Sequence, residues 1–306
     1  MILIADMGAT NARFCVTKDC RKYSNEASYK INNFDSVEEL CLAYLKDQGL
    51  KNTNKAVIGV AAPILGDKVL FVNNNLEFSI KNLEKMIFSD GLIVVNDLEL
   101  QAYALFNIKA ADLSFIGQKN LSEGPKILVT PGTGLGLAGI LGKNVIATEA
   151  GHINIPDKEL RPHLKAIIER FFKENYRTPT YEDFLSGKGI TFFHKTLSGE
   201  TNSELSSEEV LLSREDKYSL QTIELFNYLL SSYLRYMALV WGSYGGVLLS
   251  GSIVNSLVLE EDYQEFRNTF EDSETMKDFM RTIPLAIVLI EEIGFVGGLE
   301  LAKKLK

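Results

Sequence analysis

Gly91–Leu105, GLIVVNDLELQAYAL, changes its periodicity halfway along. Leu92–Val95 is an all-apolar, β-branched run of the kind that forms a buried parallel strand. It stops at Asn96 and Asp97. Beyond them, Leu98, Ala102 and Leu105 recur at helical spacing. The two polar residues therefore fall at the carboxyl end of a strand, where open α/β sheets hold their ligands. Asp97 has two uses there. It is a favoured helix N-cap, and it is also a carboxylate placed where chemistry happens.

The same strand-then-helix pattern extends in both directions and predicts an α/β class. Upstream, Ile2–Ala5 reads as a strand, Asp6–Asn11 as a turn and Ala12–Val16 as a returning strand. Ser36 and Glu39 form a capping-box pattern that opens a helix with Val37, Leu40, Cys41, Tyr44 and Leu45 as its buried stripe. Ala56–Val60 and Val69–Val72 read as strands, and Ser79 starts a short helix through Phe88. Downstream, a polar loop spans Ser114–Pro125, and Ile127–Thr130, a turn at Pro131–Gly136 and Leu137–Leu141 repeat the opening hairpin. A hairpin that opens each half predicts two related α/β halves.

Asp157 is expected to cap a helix running to Asn175, buried through Leu160, Leu164, Ile167, Ile168, Phe171 and Phe172. Ser198–Glu209 breaks the composition and reads as a mobile surface loop. The longest helix follows, from Lys217 to Trp241. A strand at Val247–Leu249, a strand at Leu285–Ile290 and a helix at Gly297–Leu305 complete the pattern.

With 306 residues the chain is long enough for two cores, and 46% hydrophobic with 24% charged residues is ordinary globular composition. No apolar run approaches the ~20 residues that cross a bilayer, and MILIADMGAT carries no basic leader, so neither a membrane span nor a signal peptide is expected. A net charge of −8 argues against a nucleic-acid partner. Cys15, Cys20 and Cys41 lack metal-ligand spacing and fit reduced thiols in the cytoplasm.

Two turns combine small residues with a hydroxyl: Asp6–Asn11 (DMGATN) and Pro131–Gly136 (PGTGLG). Such turns let backbone N–H groups approach phosphate oxygens, although plain hairpins use the same residues. Neither turn has a Lys or Arg, so a bound phosphate would rely on dipoles, hydroxyls and a divalent cation. Asp6 is a partner for that cation through water, since Mg²⁺ keeps much of its hydration shell. Glu149–His152 (EAGH) puts a carboxylate and an imidazole three residues apart. A zinc site is the rival reading, but there are only three histidines and no HExxH spacing. Thr180–Gly187 (TYEDFLSG) supplies Glu182 and Asp183, which also suit the dipole of a helix start.

Together these motifs resemble the bacterial glucokinase family of the hexokinase–actin ATPase superfamily. Asp6–Arg13 is similar to its Asp-x-Gly-Gly-Thr-Asn-x-Arg turn and Asn96–Leu98 to its Asn-Asp-Phe motif. Gly132–Gly136 matches Gly-Thr-Gly-Leu-Gly, Glu149–His152 resembles Glu-Gly-Gly-His, and Glu182–Gly189 resembles Glu-x-x-Leu-Ser-Gly-x-Gly. The resemblance implies two actin-like (ribonuclease-H-like) domains around a deep interdomain cleft. The smaller would be residues 1–107 plus 291–306, the larger 108–290.

It further implies phosphoryl transfer from ATP, with Mg²⁺, to the 6-hydroxyl of glucose. Asp97 would be the catalytic base, and Asn96, Glu149, His152 and Glu182 would hold glucose hydroxyls. Asp6, Gly8, Thr10, Asn11, Gly132, Thr133 and Gly134 would serve the nucleotide phosphates, and Gly251 the adenosine side. A homodimer stays open. Three departures stand out: Ala9, Ala150 and Ser252 replace family glycines, and Ala9 puts a methyl where the turn could require an unusual φ. A non-catalytic sugar-binding regulator on the same fold is the alternative.

Overall fold

The protein is described here from a computed structural model covering residues 1–71, 76–117, 120–156, 161–199, 205–257 and 263–306. The chain divides into two compact units: Met1–Lys109 with Val145–Ala147 and Ile290–Lys306, and Ala110–Asn144 with Thr148–Leu289.

The first unit opens with β1 (Ile2–Met7), β2 (Asn11–Thr17) and β3 (Tyr23–Lys30). Then come α1 (Val37–Asp47), β4 (Lys55–Val60), the ribbon strands β5 (Lys68–Leu70) and β6 (Glu77–Ser79), α2 (Ile80–Met86), β7 (Gly91–Asn96) and α3 (Asp97–Tyr103). Its main sheet runs β3-β2-β1-β4-β7, antiparallel across the first three strands and parallel from β1 to β7. β1 and β4 are apolar on both faces because both faces are covered.

Ser36 caps α1 by accepting from the Glu39 N–H, while the Glu39 carboxylate accepts from the Asp35 N–H at 2.9 Å. The box thus closes one residue earlier than its simplest form. Two expectations shift here. Asp6 and Met7 belong to β1, so the turn is confined to Gly8–Thr10. The strand near Val69 ends at Leu70, and Val72 lies outside the described residues.

The second unit contains β8 (Leu113–Phe115), β9 (Lys126–Pro131), β10 (Leu135–Leu141) and β11 (Asn144–Thr148). Helices α4 (Pro162–Asn175), α5 (Tyr181–Phe184), α6 (Gly187–Ser198), α7 (Ser207–Leu212) and α8 (Lys217–Trp241) follow. The unit ends with β12 (Gly246–Leu249), α9 (Ser252–Leu257), α10 (Tyr263–Glu271), α11 (Lys277–Thr282) and β13 (Leu285–Val288). Its sheet runs β11-β10-β9-β12-β13-β8. The last helix, α12 (Ile293–Ala302), belongs to the first unit and runs on into a 3-10 turn at Lys303–Leu305.

Four expectations are corrected in this half. Leu113–Phe115 is a strand paired antiparallel with β13, so Ser114 and Phe115 are not loop. α4 starts at Pro162, whose missing N–H is harmless in a first turn; Asp157 and Leu160 lie outside the described residues. Phe172 of that helix is exposed, whereas Leu164, Ile167, Ile168 and Phe171 are buried. Within Ser198–Glu209, residues 200–204 are not described, but α7 already begins at Ser207, with Ser206 and Glu209 closing a capping box.

All three cysteines are buried and carry free thiols. Among the described residues, no helix is long and apolar enough to cross a membrane, and no group of three His, Cys, Asp or Glu is placed to hold a metal.

Candidate active site

In the first unit the parallel register sets Met7, Val60 and Asn96 side by side at the carboxyl ends of β1, β4 and β7. The helix cap belongs to Asn96. Its Oδ1 accepts from the N–H groups of Leu98 (2.9 Å) and Glu99 (3.3 Å), and its Nδ2 donates to the Ala62 carbonyl at 3.3 Å. The reading of Asp97 as N-cap is thereby corrected: Asp97 is the first helical residue, partly exposed, with Oδ1 accepting from the Leu98 N–H at 2.9 Å. The Asn96 amide is largely engaged, and its second N–H is what it can offer a ligand.

Asp6, one residue before the end of β1, is partly buried close to Asp97. Burial and the Asp97 charge push its carboxyl up to about 7; Glu292 adds to the rise, and Arg13 opposes it. Arg13 on β2 faces Asp6 across the hairpin and pairs with Glu292 at 3.1 Å. Glu292 is a site neighbour that no local pattern announces, since it lies 279 residues from Arg13 and meets it only through the fold.

In the β1–β2 turn the Gly8 N–H donates to the Asn11 carbonyl at 3.0 Å, and Thr10 is exposed at the apex. Ala9 does not occupy the left-handed region. Its methyl therefore imposes no backbone strain, contrary to the expectation drawn from the family's glycine.

The second unit brings three of the predicted sugar residues together. His152 Nε2 lies 3.8 Å from Glu149 Oε2 and 3.9 Å from Glu182 Oε1, and all three side chains remain reachable at 53%, 63% and 34% exposure. Asp183 does not join them. Burial would raise its carboxyl, but hydrogen bonds from Arg177 and Thr180 hold it below the usual range and commit it to the start of α5. The two neighbouring acids thus divide into one bound to the start of α5 and one turned toward His152.

The β9–β10 turn sits against this cluster. Gly132 donates its N–H to the Gly134 carbonyl at 2.8 Å, Thr133 is exposed, and Glu182 Oε2 accepts from the Leu135 N–H at 2.9 Å. Gly251, at φ +102 after β12, occupies a conformation that a side chain would strain. Beside it, Ser250 Oγ meets Thr130 Oγ1 at 2.6 Å, a contact between the residue after β12 and the end of β9 that the sequence did not signal. Ser252 is simply the first residue of α9.

A glucokinase family profile matches residues 3–305. The glucokinase of Neisseria gonorrhoeae is 32% identical, over 97% of this chain and 93% of that protein. The glucokinase of Campylobacter jejuni subsp. doylei is 29% identical, over 96% and 92%. Among solved structures, the glucokinase from Balamuthia mandrillaris in complex with glucose superposes with a TM-score of 0.82 at 21% identity, covering 99% of this chain and 93% of that one. A ROK family glucokinase from Streptomyces griseus in complex with glucose and AMPPNP superposes at 0.72 and 17% identity, covering 99% of each. The structures agree in fold, and the profile together with the Neisseria relative identifies the lineage: the chain belongs to the glucokinase family.

Proposed function

We propose that this protein is a glucokinase that transfers the γ-phosphoryl group of MgATP to the 6-hydroxyl of glucose, giving glucose 6-phosphate and ADP. The observation that carries the reading is the Glu149, His152 and Glu182 cluster, open to solvent beside a glycine-threonine turn. Carboxylates and an imidazole suit a sugar, because each hydroxyl can donate and accept. Asn96 would add its remaining N–H. Gly8 and Thr10 on one turn, with Asn11 at the start of β2, and Gly132, Thr133 and Gly134 on the other would receive the phosphates, with Gly251 on the adenosine side.

Asp97 would take the proton of the 6-hydroxyl as that oxygen bonds to the γ-phosphorus and the bond to ADP breaks. The protein has little covalent work in such a transfer, so positioning and charge stabilisation dominate. Magnesium arrives with ATP and would neutralise phosphate charge. Asp6 fits its water shell, since the carboxylates of Asp97 and Glu292 stand near it with Arg13 as the opposing charge. Buried free thiols support a cytoplasmic location.

A coupled assay for glucose 6-phosphate, with purified chain, glucose and MgATP, tests the reading. Turnover is the expected result. Glucose binding without turnover would favour a sugar-binding regulator instead.

A further inference from the structure

Glu182 touches two things at once. Its Oε1 faces His152 Nε2 in the sugar cluster at 3.9 Å, and its Oε2 holds the Leu135 N–H of the phosphate turn at 2.9 Å. The same segment grips the turn a second time, where the Gly187 N–H donates to the Gly132 carbonyl at 2.9 Å. Gly134 completes the fit: a Cβ there would stand 2.5 Å from Glu182 Oε2, so only a glycine lets the carboxylate lie against the turn. Glu182 itself is fixed from behind, because Asp183 ties the start of α5 to Thr180 and Arg177.

Resting on the glucokinase reading, we propose that Glu182 is a positioning residue that couples the two substrates, so that glucose binding orders the nucleotide turn. The sign follows from the exposure of its side chain. Without glucose the side chain is open to solvent at 34% exposure, and any rotamer that swings the carboxylate outward would take the acceptor from the Leu135 N–H. Sugar hydroxyls hold the carboxylate in place, which holds Leu135, and the nucleotide then meets a turn already ordered. Linkage makes the effect reciprocal: bound nucleotide must tighten glucose by the same factor.

Calorimetry on the full chain tests this with glucose and the magnesium complex of AMPPNP, a non-transferable ATP analogue. In the wild type, each ligand should tighten the other by about fivefold or more. Gly134→Ala, a change in the nucleotide turn, should weaken glucose alone by at least about fivefold and bring the coupling factor near one. Gly66→Ala, whose Cβ would meet open space away from both turns, should bind glucose alone as the wild type does. Conversely, Glu182→Ala should weaken AMPPNP in the absence of glucose by at least about threefold.

The proposal is overturned if a folded Gly134→Ala retains wild-type glucose affinity and coupling. If that variant does not fold, unchanged AMPPNP affinity in Glu182→Ala overturns it. A wild type that binds both ligands with no coupling sinks the proposal and spares the glucokinase reading. A wild type that binds no glucose sinks both.

Discussion

The residue with the clearest conflict between stability and function is Asp6. An aspartate in an unfolded chain ionises near 4, whereas in the fold burial and the Asp97 charge push Asp6 to about 7. Between those values the folded protein holds a proton that the unfolded chain has released, so this group makes stability fall as pH rises from about 4 to about 7 and adds no further slope above. Asp6→Asn does not titrate. Its melting-temperature advantage over the wild type, measured without nucleotide, should therefore be small at pH 5 and larger at pH 8, while KM for MgATP rises. An advantage that is the same at both pH values would remove Asp6 from the titration.

At this scale the sequence offered Asp97 as both cap and free carboxylate, and the structure gives the cap to Asn96. Asn and Asp are comparable N-caps, so propensity alone cannot decide between Asn96 and Asp97. The register of β7 decides it, by carrying the strand through Asn96. Ala9 is a similar case, because a turn's φ cannot be read from a neighbour's identity.

Among the elements, α12 sets how closely the first unit can pack. A Cβ on Gly297 would fall inside contact distance of the Leu100 carbonyl in α3, and one on Gly294 would meet the Asp6 carboxylate. Backbone cannot swing away as a side-chain end can. Gly297→Ala should thus cost about 1–3 kcal/mol by overpacking, seen as a lower urea midpoint with unchanged slope. Gly66→Ala, facing open space, is the matched control, and an equal midpoint in the two variants would contradict the packing argument.

Elements with a strong apolar period were legible: α1, α8, β4 and β9 lie where the pattern put them, within a few residues. β3 was missed because it is an edge strand, YSNEASYK, mostly exposed and poor in apolar residues. α7 hid in a stretch whose composition reads as loop, although Ser206 and Glu209 form a capping signature that could have revealed it.

For the whole molecule, the hairpin repeat seen in the sequence proves to be part of a larger one. β3-β2-β1-β4-β7 and β11-β10-β9-β12-β13 share strand order, and β2-β1-β4-β7 and β10-β9-β12-β13 also share direction, with β8 added at one edge of the second. Only the opening hairpins were visible in advance, because their glycine and threonine turns are distinctive. The parallel strands that follow are short apolar runs, which carry no register until paired. Each sheet presents a turn after its first strand, and the candidate phosphate residues lie on those two turns. The candidate sugar residues follow a different logic, since Glu149, His152 and Glu182 meet through the fold of the second unit.

In the proposed mechanism Asp97 is the base that takes the proton of the sugar hydroxyl, and the cap of α3 is left to its neighbour. Because Asn96 caps α3, and an amide oxygen at position 97 can accept from the Leu98 N–H as the carboxylate does, Asp97→Asn should melt almost as the wild type and still bind glucose. General-base catalysis contributes roughly 10²–10⁴-fold in rate. Glucose 6-phosphate formation, measured on the same preparation as melting and glucose binding, should fall by at least about 10²-fold. Near-normal turnover in that folded, glucose-binding variant would remove Asp97 from the mechanism.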